Sequence, residues 1–202
     1  MVYYPYDMYE AAFVVAAYIV GSIPVGVILS KLRGKDPRNM GSGNIGATNV
    51  MRTAGKVAGI ITLAGDMAKG FAPTFLALRA GFPVVLVIAI GFAAFVGHLF
   101  PVFLRFKGGK GVATALGVYL ALTPIAILLS FVVFVLVLLK WRYVSAGSIA
   151  GTAVMPLILY SLKADPIYVY LSLAIGSLII LKHLGNIKRL TAGTEHKIGS
   201  PK

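Results

Sequence analysis

Apolar stretches long enough to cross a lipid bilayer recur along the whole chain. Five of them cover residues 9–30, 57–78, 82–101, 147–162 and 166–182, and a longer apolar run extends from Val112 to Leu139. A helix that crosses about 30 Å of hydrocarbon needs about 20 mostly apolar residues. The pattern therefore predicts an all-α polytopic membrane protein.

The run from Val112 to Leu139 can form one span, or two short spans that hinge at Thr123-Pro124, since proline disfavours an uninterrupted helix. Charge decides between them, because cytoplasmic loops carry the excess of Lys and Arg. With two spans, nearly all basic residues share one side: Lys31, Arg33, Lys35, Arg38, Arg52, Lys56, Arg105, Lys107, Lys110, Lys140, Arg142, Lys182, Lys188, Arg189, Lys197 and Lys202. The other side keeps only Arg79 and Lys163, whereas a single span makes the two sides roughly even. We therefore predict seven transmembrane helices, with the N-terminus outside and the C-terminus cytoplasmic.

Composition agrees with this class of protein. Hydrophobic residues make up 58% of the chain and charged residues 12%, against about 25% charged residues in an average soluble domain. The net charge is +13; loop topology explains part of it, and the rest indicates an anionic lipid surface or an anionic substrate. Cysteine is absent, which excludes disulfides and thiolate nucleophiles. Few carboxylates and histidines argue against a metal cage.

The chain is expected to form one integral membrane domain over residues 1–202. The N-terminal segment Met1 to Glu10 contains Asp7 and Glu10 but no Lys or Arg. A cleavable signal peptide begins with a positively charged region. The segment therefore predicts a first span with an outward-facing N-terminus rather than a signal peptide.

The first candidate for chemistry is the cytoplasmic segment Gly41-Ser-Gly-Asn-Ile-Gly-Ala-Thr-Asn49, followed by Arg52. Its glycines allow close backbone approach, so successive N–H groups can form an anion-binding nest. Neutral hydrogen-bonding groups are added by Ser42, Asn44, Thr48 and Asn49, and Arg52 offers a planar fork for phosphate. The glycine spacing also matches a dinucleotide fingerprint, but no strand precedes it. The alternative is a flexible loop at the membrane surface.

The second candidate is Lys107-Gly-Gly-Lys-Gly111, which leads into the apolar run. It resembles a Walker loop only superficially, because a glycine follows Lys110 where Ser or Thr would hold magnesium. Two cations on a glycine-rich turn at a helix N-terminus favour an anion, since N–H groups and the helix dipole point at it. The alternative is a pair of topology-determining lysines between glycine hinges, although three glycines exceed what topology requires.

The third candidate is His183-x-x-Asn186, followed by Lys188, Arg189 and Glu195. On one helix leaving the membrane, His183 and Asn186 would share a face. Judged alone, His183 can equally be an interfacial histidine bonded to backbone. Glu195 is interpreted as the partner of a nearby Lys or Arg rather than as a base.

Other polar residues are interpreted mainly as structural. Ser145 and Ser148 are candidate helix caps on the cytoplasmic side. Asp66 and Lys69 lie three residues apart inside the second span; intramembrane charges are functional candidates by default, but this pair can neutralise itself. His98 is interpreted as stabilising a hinge.

Taken together, these segments resemble the PlsY family of bacterial acyl-phosphate:glycerol-3-phosphate acyltransferases. The matching positions are Gly41 to Asn49 with Arg52, Lys107-Gly-Gly-Lys-Gly-Val-Ala-Thr114, and His183-x-x-Asn186-Ile-x-Arg-Leu-x-x-Gly-x-Glu195. The resemblance extends from about Gly21 to Gly199. It implies a seven-helix inner-membrane enzyme that moves a fatty acyl group from acyl phosphate to the 1-hydroxyl of glycerol 3-phosphate. The products would be lysophosphatidic acid and phosphate, in the first step of phospholipid synthesis.

The resemblance also implies a cytoplasmic site whose parts lie far apart in the chain. Its catalytic residues would be Ser42, Arg52, Lys110, His183 and Asn186. Substrate phosphate would be bound by Gly43, Asn44, Thr48, Gly108, Gly109, Gly111 and Ser145, and Glu195 would give structural support. The expected partners are glycerol 3-phosphate, acyl phosphate and membrane lipids, with no nucleic acid, cofactor or metal; a monomer is compatible with the sequence.

Two questions stay open at this point. The proton of the substrate hydroxyl can go to His183, or to the substrate's own phosphate, which the scarcity of carboxylates makes a serious option. The rival function is a membrane transporter of an organic phosphate. Transporters place polar groups near the bilayer midplane, and here only Asp66 and Lys69 are candidates at that depth. A lipid phosphatase would need a second histidine or acid beside His183.

Overall fold

The computed structural model describes residues 6–199, with side chains from Tyr9 onward. Within this range the regular structure consists of ten α-helices and one 3-10 helix, Val102–Leu104. The helices are α1 (Tyr6–Ser22), α2 (Val25–Lys31), α3 (Ala47–Ala54), α4 (Lys56–Arg79), α5 (Val84–Leu99), α6 (Val112–Leu122), α7 (Pro124–Trp141), α8 (Val144–Ser161), α9 (Pro166–Lys182) and α10 (Leu184–Thr191). The charges of Asp7 and Lys202, which entered the topology prediction, lie outside the described side chains.

The predicted spans coincide with helices of the structure. The long apolar run breaks at Thr123, so that α6 and α7 are separate helices, as predicted. Pro124 is the first residue of α7, where its missing N–H has no helical partner to lose. The first predicted span, residues 9–30, corresponds to the candidate span Tyr9–Lys31. A break at Ile23-Pro24, which was not predicted, divides it into α1 and α2.

Length and composition alone support fewer than seven spans. Four helical segments of the described chain can each cross a membrane, namely Tyr9–Lys31, Val84–Leu104, Pro124–Trp141 and Val144–Ser161, and the bent pair α9–α10 makes five. At 11 residues, α6 is only about 16 Å long, and α4 carries Asp66 and Lys69. The count of seven therefore depends on charge distribution and stays a prediction.

The chain divides into two compact units, Met1–Leu122 and Thr123–Lys202, and the expectation of a single domain stays a prediction. In the first unit, α4 packs against α2, α3, α5 and α6. The α4–α6 contact is close, because a Cβ at Gly70 or Gly117 would collide with the backbone of Thr114 or Met67. Small residues allow such approach between membrane helices, where lipid removes the usual hydrophobic driving force.

In the second unit, α8 packs against both α7 and α9. The Ser130 hydroxyl on α7 donates to the Gly151 carbonyl on α8 at 2.8 Å. At the end of α9 the chain bends by 58° into α10, with His183 at the bend. This corrects the expectation that His183 and Asn186 lie on one continuous helix.

Candidate active site

The first glycine segment is folded around the buried side chain of Asn49. Its Nδ2 group donates to the carbonyls of Pro37, Met40 and Asn44 at 2.8–3.0 Å, and its Oδ1 accepts from the Ser42 N–H at 2.9 Å. Gly41 has φ +61°, and a Cβ there would overlap Asn49 Oδ1. The glycine at 41 is therefore required by the approach of Asn49.

Several N–H groups of this loop are already bonded within it. Besides the N–H of Ser42, that of Gly43 donates to the Met40 carbonyl at 3.1 Å, and that of Gly46 donates to Asn44 Oδ1 at 2.8 Å. This corrects the expectation that these amides, or the side-chain oxygen of Asn44, form an open anion-binding nest. What the segment presents to a ligand is therefore its side chains.

Those side chains lie on or beside α3. Ser42 and Thr48 are exposed and Arg52, in the last turn of α3, is half-buried. The helix is held by its apolar face, where Val50 and Ala54 pack with Ala58 of α4. The Arg33 guanidinium donates to the carbonyl of Ala54 at 2.7 Å, which stabilises the end of α3.

The second glycine segment is packed tightly against the end of α5. The N–H groups of Gly108 and Gly109 donate to the carbonyls of Leu99 and His98 at 3.2 and 3.1 Å. A Cβ at Gly108 would meet the same backbone, and one at Gly109 would overlap the His98 ring at Nε2. The glycines at 108 and 109 therefore serve close packing, and their N–H groups are bonded to the end of α5 rather than left for an anion, as was expected.

Gly111 completes this segment just before α6. Its φ of +84° favours glycine, and a Cβ there would also meet the Phe95 ring. Lys110, between Gly109 and Gly111, is half-buried. With the N–H groups of Gly108 and Gly109 bonded to α5, the two lysines are the cations that this segment can offer to an anion.

The helices that follow the two glycine segments, α3 and α6, both pack against α4. Gly59 lies against Met51 of α3, whereas Gly70 lies against Thr114 at the start of α6. These two positions are about 16 Å apart along the helix axis. The predicted Asp66–Lys69 ion pair lies between them, with Lys69 Nζ 2.9 Å from Asp66 Oδ1, and is confirmed.

In the second unit, Glu195 joins three of the polar groups. Its Oε1 accepts from the Ser145 hydroxyl at 2.9 Å and from Asn186 Nδ2 at 2.7 Å, and its Oε2 accepts from Arg189 Nε at 2.7 Å. The prediction that Glu195 pairs with a nearby basic residue is confirmed. Ser145 lies in the first turn of α8, so the carboxylate links α8 to α10.

The pKa of Glu195 reflects this environment. Burial raises it, but the hydrogen bonds from Asn186, Arg189 and Ser145 outweigh burial and hold the pKa below its ordinary value of 4.5. The side chain is therefore an ionised acceptor at neutral pH, with its oxygens engaged by donors, rather than a general base.

His183 has a defined orientation at the bend. Its Nδ1 lies 2.8 Å from the carbonyl of Ile179, and the residue is 2% exposed. A carbonyl oxygen only accepts, so Nδ1 is the donor in this contact, and in the neutral form of such a ring the lone pair is on Nε2. The His183 carbonyl in turn accepts from the Asn186 N–H at 2.8 Å, which fixes the two residues relative to each other.

The C-terminal residues Lys197 and Ile198 contact the two residues that precede α8. The Arg142 guanidinium donates to the Ile198 carbonyl and the Ile198 N–H donates to the Arg142 carbonyl, both at 2.8 Å. Lys197 Nζ lies 5.5 Å from the centre of the Tyr143 ring. Sequence pattern carries no signal for the pairing of Arg142 with Ile198, because the two residues lie 56 positions apart. It also does not single out Asn49 among the polar residues of its loop, although the groups that Asn49 bonds lie within 12 positions of it.

The predicted site residues are therefore divided between the two units. The first unit carries Ser42, Gly43, Asn44, Thr48, Arg52, Gly108, Gly109, Lys110 and Gly111, and the second carries Ser145, His183, Asn186 and Glu195. Catalysis and phosphate binding by these residues stay predictions.

Comparison with known proteins identifies the family. The family profile described as glycerol-3-phosphate acyltransferase matches residues 11–193. The chain belongs to this family. A glycerol-3-phosphate acyltransferase of Trichlorobacter lovleyi is 52% identical over 185 residues, which are 92% of this chain and 95% of the relative. The resemblance to PlsY is thereby confirmed, and with it the assignment as an acyltransferase.

The chain shares its fold with two solved structures of PlsY, which are described as an integral membrane glycerol 3-phosphate acyltransferase. The glycerol 3-phosphate form is 43% identical with a TM-score of 0.91, and the lysophosphatidic acid form is 42% identical with a TM-score of 0.88. Each comparison covers 95% of this chain and 96% of the solved one. Together with the apolar helices, they identify the chain as a multi-pass membrane protein.

Proposed function

We propose that this acyltransferase moves a fatty acyl group from acyl phosphate to the 1-hydroxyl of glycerol 3-phosphate. The hydroxyl oxygen forms an ester bond with the acyl carbon, the bond between that carbon and the phosphate oxygen breaks, and the hydroxyl proton passes to a base. Lysophosphatidic acid and inorganic phosphate leave. The observation that carries the proposal is the close match to PlsY in forms with glycerol 3-phosphate and with lysophosphatidic acid.

The cations of the chain suit a reaction between two phosphates. Two dianions about 6 Å apart, at an effective dielectric near 20, repel by about 11 kcal/mol. An acyl phosphate is already activated, so positioning and charge neutralisation can supply most of the rate without a covalent intermediate. Arg52 and Lys110 are the cations that we assign to this task.

The occupied backbone amides of both glycine loops shift phosphate recognition to side chains. In the first unit, Arg52 and Lys110 bind phosphate oxygens, with Ser42 and Thr48 as neutral donors. In the second unit, His183 and Asn186 bind and orient substrate, with Ser145 beside them. His183 Nε2 or a substrate phosphate accepts the hydroxyl proton.

The proposed setting is the inner membrane, with seven spans, the N-terminus outside and the C-terminus cytoplasmic. This arrangement puts the basic loops on the side where positive charge accumulates. The transporter alternative is not favoured, because Asp66 and Lys69 neutralise each other and the chain belongs to an acyltransferase family.

A reconstituted reaction tests the chemistry. Purified protein in detergent, given a long-chain acyl phosphate and glycerol 3-phosphate, is expected to release phosphate and form lysophosphatidic acid, detected by mass spectrometry, only when both substrates are present. Phosphate release from acyl phosphate alone would indicate a phosphatase, and no product would refute acyl transfer. Replacing acyl phosphate by an acyl thioester tests the donor, and we expect no product.

Charge removal tests the assigned cations. Arg52→Ala and Lys110→Ala are each expected to lower kcat/KM by about 10- to 150-fold, the loss of a charged hydrogen bond worth about 1.5–3 kcal/mol. Arg79→Ala, at the exposed end of α4, is the matched control and should retain full activity.

Single cysteines test the topology, since the chain has none of its own. In intact cells, an impermeant maleimide should label Ala164→Cys but should reach Lys35→Cys and His196→Cys only after permeabilisation. Labelling of His196→Cys from outside, with Lys35→Cys protected, would overturn the seven-span arrangement.

A further inference from the structure

Asp66, Lys69 and His98 form a buried charged cluster that the proposed reaction does not use. Lys69 Nζ lies 2.9 Å from Asp66 Oδ1, and His98 Nδ1 lies 3.5 Å from the same oxygen. Each of the three residues is at most 6% exposed. Asp66 lies ten residues, or about 15 Å, into α4, so the charges are held well inside the first unit.

The cluster connects two breaks in the helices of this unit. On one side, Lys69 Nζ donates to the carbonyl of Ile23 at 3.0 Å, at the break between α1 and α2. On the other side, His98 lies at the end of α5, where its carbonyl accepts from the Gly109 N–H at 3.1 Å. The His98 ring faces Asp66 through Nδ1 and Gly109 through Nε2. The His98 ring therefore lies between the Asp66 carboxylate and the loop that contains Lys110.

Stability alone does not explain a cluster of this kind. Buried ion pairs lose hydration that their mutual attraction barely restores, and apolar residues of similar size are often as stable in their place. A buried ion pair does hold the segments that carry its two partners in one relative position, because separating the charges would leave each of them unpaired. The geometry fixed here is that of the loop whose next residue is Lys110.

We propose that Asp66, Lys69 and His98 are positioning residues that hold the Lys107–Gly111 loop so that the Lys110 ammonium meets a substrate phosphate. This inference rests on the proposed function of Lys110 in phosphate binding. The carboxylate orients the His98 ring, the ring sets the position of Gly109, and Lys69 anchors the carboxylate to the α1–α2 break.

A binding cycle separates positioning from a merely structural role. Dissociation constants for glycerol 3-phosphate and for a non-hydrolysable acyl phosphonate are measured by calorimetry for the wild type, Asp66→Asn, Lys110→Ala and the double variant. Asp66→Asn is expected to weaken, by about tenfold or more, the ligand that Lys110→Ala weakens. In the Lys110→Ala background the same change should have an effect of less than about twofold, because interacting residues are not additive.

Equal effects in both backgrounds would overturn the proposal, as would a lowered Tm with unchanged affinities. If Lys110→Ala weakens neither ligand, positioning through Lys110 is refuted, whereas turnover of the wild type still tests acyl transfer on its own. His98→Gln repeats the cycle with the ion pair intact, should Asp66→Asn not fold. Thr74→Val, a buried change on the same helix, is the control and should leave both affinities unchanged.

Discussion

Replacement of Glu195 tests most directly whether the polar residues of the second unit contribute to the reaction. Its carboxylate accepts hydrogen bonds from Ser145, Asn186 and Arg189. The Glu195→Gln change keeps the size of the side chain, removes its charge and replaces one acceptor oxygen by an amide nitrogen that donates. One nearly isosteric substitution therefore weakens all three contacts together.

The expected magnitude follows from these contacts. A hydrogen bond to an ionised group is worth about 1.5–3 kcal/mol and a neutral one about 1 kcal/mol, so neutralising the acceptor of Ser145 and Asn186 removes about 2 kcal/mol. The Arg189 side chain is 41% exposed; solvent screens it, and its loss adds about 0.5–1 kcal/mol. If this energy of about 2.5–3 kcal/mol holds Ser145 and Asn186 in position to bind substrate, its loss lowers kcat/KM by about 60- to 140-fold.

Steady-state kinetics with both substrates measure the effect. Asp165→Asn is the matched control, because it makes the same chemical change at the start of α9, where Asp165 accepts from the Ile167 N–H at 3.0 Å and asparagine caps equally well. The control should keep its kcat/KM within about twofold. A Glu195→Gln variant with wild-type kcat/KM would refute the reasoning.

The same variant carries a pH prediction. The folded-state pKa of Glu195 lies below the ordinary value of 4.5, so its stabilising contribution is fully present above pH 4.5 and is lost as pH falls through the folded-state pKa. The difference in Tm between the wild type and Glu195→Gln should therefore be constant above that pH and shrink in more acid solution. A difference that grows on acidification contradicts the assignment.

Four further substitutions have defined outcomes. Asn49→Ala removes a side chain that makes four hydrogen bonds; at about 1 kcal/mol each for at least two of them, kcat/KM should fall by at least about tenfold, and trypsin should cleave the loop faster. Gly109→Ala overlaps the His98 ring and should also lower kcat/KM by about tenfold or more, as measured by the same kinetics. Asp36→Asn breaks an exposed ion pair and should change the free energy of unfolding in urea by less than about 1 kcal/mol, although the pairing lowers the pKa of Asp36 to about 2. His183→Gln should retain turnover within about tenfold of wild type, whereas a 10²- to 10⁴-fold loss, about that expected for a missing general base, would identify Nε2 as the obligatory acceptor.

The sequence predicted helix positions well because length and charge constrain them strongly. The break at Thr123-Pro124 was predicted because only two spans put the basic loops on one side. The break at Ile23-Pro24 was not predicted, although the same residue type causes it, because one uninterrupted span already satisfied length and charge. What makes that break tolerable is a distant donor, Lys69, which bonds the Ile23 carbonyl; composition and spacing do not reveal such a contact.

The two glycine segments were predicted to offer open backbone amides, whereas several of these amides are bonded within packed loops. Residue types alone allow an open nest of amides, and equally a tightly packed loop. The difference is made by Asn49 inside the first loop and by the His98 ring against Gly109 in the second. The first contact depends on which of several polar side chains in the loop turns inward, and the second depends on the packing of the loop against α5; residue type alone determines neither.

The few carboxylates of this chain suit the proposed binding of two anionic substrates. An unpaired carboxylate about 6 Å from a phosphate dianion would repel it by about 5.5 kcal/mol at an effective dielectric of 20. From residue 36 to the end of the described chain, every acid is engaged: Asp36 by Arg38, Asp66 by Lys69, Asp165 by a backbone N–H and Glu195 by Arg189. Each is thus neutralised or committed to holding a helix or a loop, and none is left as a base. Under the proposed reaction, we expect the proton of the attacking hydroxyl to go to His183 Nε2 or to a phosphate oxygen of the substrates, so that no carboxylate is needed for that step.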